Sequence, residues 1–142
     1  MLEKPSASIT GARLQDAGLT QVTMFFDVRV NNPYTLPLPM SNVDYALSSS
    51  NHRFLSGEAD VQGTAPAKGS KTLGVPVRIS YVELIKAVKA ARPGATIPYT
   101  ANLGLSVDVP LTGPLRVPMS REGSLTVSTA PGLLEQLKSM AP

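Results

Sequence analysis

Thr20-Gln21-Val22-Thr23-Met24-Phe25-Phe26-Asp27-Val28-Arg29-Val30-Asn31 is the stretch on which the reading of the fold turns. Val22, Met24, Phe26, Val28 and Val30 take alternate positions. Gln21, Thr23, Asp27, Arg29 and Asn31 fill the positions between, with Phe25 the single exception. In an extended chain, alternate side chains leave on opposite faces. The stretch is therefore a strand with one buried and one wet face, the habit of antiparallel sheets.

The same period returns along the chain. Val43, Tyr45 and Leu47 share a face, as do Leu73, Val75, Val77 and Ile79, and again Leu103, Leu105, Val107 and Val109. Shorter runs occur at 7–14, 54–61, 115–119 and 125–127. Breakers separate them: Gly18, Asn32-Pro33, 48–51, 63–69, Gly94, Thr112-Gly113-Pro114 and 121–123. Seven or eight short strands with turns between them predict a mainly β protein, an antiparallel β-sandwich of the immunoglobulin or fibronectin III type. Pro76, Pro110 and Pro118 fall inside or at the ends of strand-like runs. Proline cannot donate to a ladder, so these segments belong at sheet edges or bulges, where they also discourage edge-to-edge aggregation.

One segment departs from the period of two. Ser80-Tyr81-Val82-Glu83 has the form of a capping box. Tyr81, Leu84, Ile85 and Val88 then follow the spacing of one helical face. Lys86, Lys89 and Arg92 crowd the C-terminal half, where cations suit the helix dipole, and Pro93-Gly94 stops it. A helix is expected at about 80–92. A second, short helix is expected over 131–140, with Leu133, Leu134, Leu137 and Met140 on one side. The expected organisation is one sandwich domain at 1–128 and a helical appendage at 129–142.

Composition narrows the chemistry. There is no cysteine among the 142 residues, so disulfides, thiolate metal sites and a cysteine nucleophile are excluded. Eleven glycines and thirteen prolines are spread evenly, as turns would be. The net charge is +3, with bases scattered at Lys4, Arg13, Arg29, Arg53, Lys68, Lys71 and Arg78. A nucleic-acid binder shows a clustered basic stripe with interleaved aromatics, so no nucleic-acid partner is expected. No apolar run approaches the ~20 residues of a membrane-spanning helix.

The reactive residues are few. His52 follows Ser48-Ser49-Ser50-Asn51 between two strands. A serine and a histidine need a third group and a shaped site to make a hydrolase, and nothing near His52 supplies them. Glu58 and Asp60 lie two apart on a strand face and read as a wet surface. Gly63-Thr64-Ala65-Pro66-Ala67-Lys68-Gly69-Ser70 has the glycines and lysine of a phosphate loop, but in the wrong order and leading into a strand. It reads as a turn. Asn31-Asn32-Pro33-Tyr34-Thr35-Leu36-Pro37-Leu38-Pro39-Met40 is the most unusual stretch. It is either an exposed apolar docking loop or, the favoured reading, a crossover between sheets whose Leu36, Leu38 and Met40 plug the sandwich end.

These residues carry a resemblance. Phe26-Asp27-Val28-Arg29-Val30-Asn31-Asn32-Pro33-Tyr34, then Leu36-Pro37-Leu38-Pro39, Tyr45, Ser56-Gly57, Pro66-Ala67-Lys68-Gly69-Ser70 and Val75-Pro76-Val77-Arg78-Ile79-Ser80-Tyr81-Val82-Glu83-Leu84-Ile85 follow one another as in the water-stress and hypersensitive-response (WHy) domain. That domain is also called late embryogenesis abundant group 2, or LEA14-like. The resemblance covers about residues 5–128. The usual Asn-Pro-Asn appears as Asn32-Pro33-Tyr34, a departure at its third position. The resemblance implies a small sandwich with one helix, no catalytic residues, no cofactor and no metal. It makes Asn32, Pro33, Tyr34, Leu36, Pro37, Gly57, Gly69 and Ser70 the structural motif residues.

The family is associated with tolerance to desiccation, cold and hypersensitive stress. The implied function is therefore protection of partly unfolded client proteins by a monomeric domain. The alternative is a lipid or apolar-ligand module, with Leu84, Ile85, Val88, Lys86 and Lys89 as its contact surface. The opening Leu2-Glu3-Lys4-Pro5 looks like the start of the mature part of bacterial members. That implies the cell envelope or periplasm, with a signal removed or absent, and otherwise the cytoplasm.

Overall fold

The computed structural model describes residues 4–15, 20–88, 92 and 94–126. The described residues form seven strands and one helix: β1 (Ser6–Gln15), β2 (Gln21–Asn31), β3 (Leu38–Ser49), β4 (His52–Ala65), β5 (Ser70–Ser80), α1 (Tyr81–Ala87), β6 (Thr96–Val109) and β7 (Gly113–Thr126). Two antiparallel sheets result, in the orders β1-β2-β5 and β4-β3-β6-β7. Along one side β1 meets β7, and along the other β5 meets β4. This is the expected β-sandwich. The expected helix at 131–140 and the appendage at 129–142 lie outside the described residues.

The central strand β2 behaves as its sequence dictates. Val22, Met24, Phe26, Val28 and Val30 are all buried against the second sheet. Phe26 meets Tyr99 of β6 edge to face, with ring centroids 6.2 Å apart, so one aromatic pair bridges the two layers. The exception, Phe25, lies on the outer face opposite Arg13 and Pro76. The Arg13 guanidinium stands 5.6 Å from its ring centroid and covers it from water.

The expected runs at 115–119 and from Leu125 onward belong, as far as Thr126, to one strand and not two, which makes seven strands among the described residues. The expected break at 121–123 is instead a place where the alternation loses its apolar residues. Arg121 and Gly123 occupy positions between Met119 and Leu125 on the inward side of β7. Gly123 is directly opposite Tyr99. A Cβ at Gly123 would come within 2.5 Å of the Tyr99 hydroxyl, so the ring occupies the space a side chain would need. Gly57 is opposite Tyr45 in the same relation. A glycine in these strands marks a neighbouring ring rather than a turn.

The β3–β4 hairpin closes on Ser50 and Asn51, both with positive φ (51° and 67°), the pattern of a two-residue type I′ turn. Strand β5 is an edge strand and carries Pro76, and β7 is an edge strand and carries Pro118. Pro110 lies in the β6–β7 turn. The helix is shorter than the expected 80–92. Ser80 caps it, accepting from the Glu83 amide at 3.4 Å. It ends at Ala87 because Val88 turns to an extended backbone and buries its side chain.

On the outer face of the larger sheet, Arg116 of β7 reaches Asp44 of β3 across the intervening β6. The bond is bidentate, Nε to Oδ2 at 2.9 Å and a terminal nitrogen to Oδ1 at 2.8 Å. Gly104 of β6 lies directly beneath the guanidinium, and any larger residue there would block the span. The hydrogen bonds and charge of Arg116 hold the Asp44 carboxyl below its usual range. A group whose pKa is lower folded than unfolded stabilises the fold above its unfolded value, and loses that contribution as pH falls through its folded value. The pair is partly exposed, so Asp44→Asn is expected to cost under about 1 kcal/mol at neutral pH. Urea unfolding at a series of pH values should show the gap between parent and variant closing as pH falls below about 4.

Candidate functional site

Two crossings between the sheets lie at one end of the sandwich. Residues 32–37 lead from β2 to β3, and residues 66–69 lead from β4 to β5. Chain that leaves a ladder gives up its backbone partners, and at a buried end water cannot replace them. Asn32, 3 % exposed, supplies the replacement. Its Nδ2 donates to the carbonyls of Leu36 (2.9 Å), Ala65 (3.1 Å) and Pro66 (3.1 Å). Its Oδ1 accepts from the Tyr34 amide at 2.9 Å, an Asx turn. Its own amide donates to Gly69 O at 2.8 Å, and the Lys68 amide donates to Tyr34 O at 2.8 Å. One carboxamide thus ties both crossings together.

Most of the expected motif residues converge here. Pro33 and Pro37 lie in the first crossing. Gly69 closes a turn with its amide on Pro66 O at 3.0 Å, where Lys68 adopts a left-handed φ of 55°. A Cβ on Gly69 would stand 2.9 Å from the Pro66 ring. Ser70 starts β5. Gly57 alone lies elsewhere, beneath Tyr45. The departure at Tyr34 costs the loop nothing, because position 34 takes part through its backbone N–H and C=O.

The expected plug is divided. Leu38 and Met40 are buried in β3, but Leu36 is 53 % exposed. Leu36 borders a cleft of about 240 Å³ shared with Tyr34, Val109, Pro110 and Leu111. Leu111 sits at the tip of the β6–β7 hairpin, fully exposed and with a left-handed φ of 68°. The sequence reading did not single it out. The signal was a leucine directly between Pro110 and Thr112 in a turn, where apolar residues have no packing role.

The other candidates resolve differently. Leu84 and Val88 are 1 % and 6 % exposed, and Ile85 packs partly against the core. Leu84 and Val88 pack into the core, because the apolar face of a short helix turns toward the core it can cover. Lys86 is exposed on the other side, and Lys89 lies outside the described residues. His52 is an exposed residue pairing with Ser49 beside the hairpin turn. Glu58 and Asp60 are exposed on β4, opposite Asp44 and Asn42. The 63–70 stretch joins two strands, as its residue order implied.

A family model described as "Late embryogenesis abundant protein" matches residues 27–123, which includes both crossings and the hairpin tip. The chain belongs to this late embryogenesis abundant family. Among its relatives, the desiccation protectant protein Lea14 homolog of Glycine max is 30 % identical over 90 % of this chain and 84 % of that protein. The late embryogenesis abundant protein Lea14-A of Gossypium hirsutum is also 30 % identical, over 90 % of this chain and 85 % of that protein. The solution structure of a protein from Arabidopsis thaliana superposes with a TM-score of 0.72 at 26 % identity, covering 92 % of this chain and 86 % of that one. A crystal structure from Archaeoglobus fulgidus shares the fold with a TM-score of 0.67 at 16 % identity, over 90 % of this chain and 98 % of that one.

In this member of the family the carboxamide of Asn32 is the residue whose loss is felt most at the crossings. Asn32→Ala removes the side-chain donor to the Leu36, Ala65 and Pro66 carbonyls, of which Pro66 keeps the Gly69 amide, and the acceptor of the Tyr34 amide, and is expected to cost roughly 2–3 kcal/mol. Asn32→Asp replaces the donor by an anion facing those carbonyls and is expected to cost more. Urea midpoints of the two variants at neutral pH check the order.

Proposed function

We propose that this protein is a non-enzymatic stress-protection domain, of the water-stress and hypersensitive-response type, that shields partly unfolded proteins. The contact is made by the sandwich end bearing Tyr34, Leu36 and Leu111. The names of its relatives, desiccation protectant and desiccation-related proteins, support the protective role. The observation that carries the contact surface is Leu111. A left-handed backbone costs an L-residue about 1–2 kcal/mol, and glycine or asparagine would relieve it. A leucine there recovers nothing from packing, since its side chain is wholly in water. Strain without internal recompense points to a use outside the fold. With Leu36 across the cleft, the tip offers a small, adaptable apolar surface to exposed segments of other proteins.

The alternative, a lipid or apolar-ligand site walled by the helix, has less support. Two of its three apolar wall residues, Leu84 and Val88, are already buried in the core.

Drying or freezing lactate dehydrogenase with this protein is expected to preserve more activity than an equal mass of albumin. Leu36→Ser with Leu111→Asn is expected to bring protection down to the albumin level. Leu111→Asn alone is expected to raise stability by up to about 1 kcal/mol, read from urea unfolding. A double variant that is stable and still protects like the parent would overturn the reading.

A further inference from the structure

A second cleft, of about 330 Å³, shares the first crossing and opens on the outer face of the smaller sheet. Its charged and polar lining comes from both sheet edges and from both crossings: Lys4, Ser6, Arg29, Asn31, Lys68 and Ser70. Three of these are cations, and no carboxylate lines the cleft. Among the described residues the ion pairs use Arg13 and Arg116, so Lys4, Arg29 and Lys68 keep their charge unpaired.

The hydroxyls are oriented in the same sense. Arg29 donates to Ser70 Oγ at 3.3 Å, and Asn31 Nδ2 donates to Ser6 Oγ at 3.3 Å. Each serine oxygen thus accepts from its own sheet, which leaves its O–H to donate outward. The nearby backbone amides of Asn32, Lys68 and Gly69 are spent on the crossings. The cleft therefore offers side-chain donors and positive charge, the complement of an oxyanion. Guanidinium matches phosphate in a bidentate manner, and lysines add point charges. The volume is at the small end of ligand sites, roughly 300 Å³ and up, and exceeds what a bare ion fills.

We propose that this cleft binds a phosphate group carried on a small polar moiety. Such a group reaches it either on a free phosphorylated metabolite or as a phospholipid headgroup. The proposal is independent of the protective contact at Leu36 and Leu111, which lies in the neighbouring cleft.

The test is an amide NMR titration of the whole protein with inorganic phosphate, with glycerol 3-phosphate, and with vesicles of phosphatidic acid in phosphatidylcholine. Sodium chloride at matched ionic strength is the control. Saturable shifts confined to residues 6, 29–31 and 68–70 are expected with glycerol 3-phosphate. Arg29→Gln with Lys68→Asn is expected to weaken binding by about tenfold or more while keeping the dispersion of a folded spectrum; each loses a charge, and asparagine tolerates the left-handed φ at 68. Ser70→Ala, which removes one donor and no charge, is expected to weaken it by a few fold. Broadening of the same amides by phosphatidic acid vesicles, beyond that with phosphatidylcholine alone, assigns the headgroup as the source. Saturation by glycerol 3-phosphate without a vesicle effect assigns a free metabolite. Shifts that spread to Arg53, Arg78 and Lys86 and vanish in matched salt overturn the site. So does a charge-removed variant that binds like the parent.

Discussion

Each time a strand of this sandwich crosses from one sheet to the other, several carbonyls lose the ladder that satisfied them. The cost of leaving them bare at a buried end exceeds what any single packing contact there returns. Asn32 meets that constraint for two crossings at once, because a carboxamide carries both donors and an acceptor on one short arm. Serine could not reach three carbonyls, and aspartate could not donate. Everything placed at that end depends on this anchoring. The exposed Leu36, the left-handed Lys68 and the start of β5 are held where they are by bonds that pass through residue 32.

Where one face of a strand packs and the other is wet, the sequence states the fold plainly. The alternation in β2 reads directly as the buried set Val22, Met24, Phe26, Val28 and Val30. The reading fails where a partner's side chain fills a position. Gly123 looks like a turn in one dimension and is the seat of the Tyr99 ring in three. Arg121, beside it, removed the last cue that the strand continues. The helix stops before 92 for a similar reason. Lys86, Lys89 and Arg92 extend a helical pattern in charge, but Val88 has a buried place to go and leaves the helix to reach it.

The candidate sites were less legible than the fold, for a topological reason. Lys4, Arg29 and Lys68 are far apart in the chain and looked like scattered surface charge. The pairings of Ser6 with Asn31 and of Asn31 with Ser70 lay β1, β2 and β5 side by side, and only that register gathers the three cations. The Asn32 motif was legible as a motif through its resemblance to a family. Its reason, a bond to carbonyls more than thirty residues away, was not.

The polar residues sealed inside this fold have one property in common. Among the described residues they are Thr23, Asn32 and Ser49, and none of them titrates near neutral pH. The buried set of the described residues also includes the phenols Tyr81 and Tyr99, and burial pushes the Tyr81 hydroxyl above the usual phenol range. Freezing and drying concentrate solutes, swing acidity and collapse the Debye length toward a few ångströms. The buried polar anchors of the described residues are neutral amides and hydroxyls, and the pairs Arg13–Asp27 and Arg116–Asp44 lie at the surface, so such swings find few buried groups to act upon. Among the described residues, the interior thus holds little charge that a change of acidity or salt could switch.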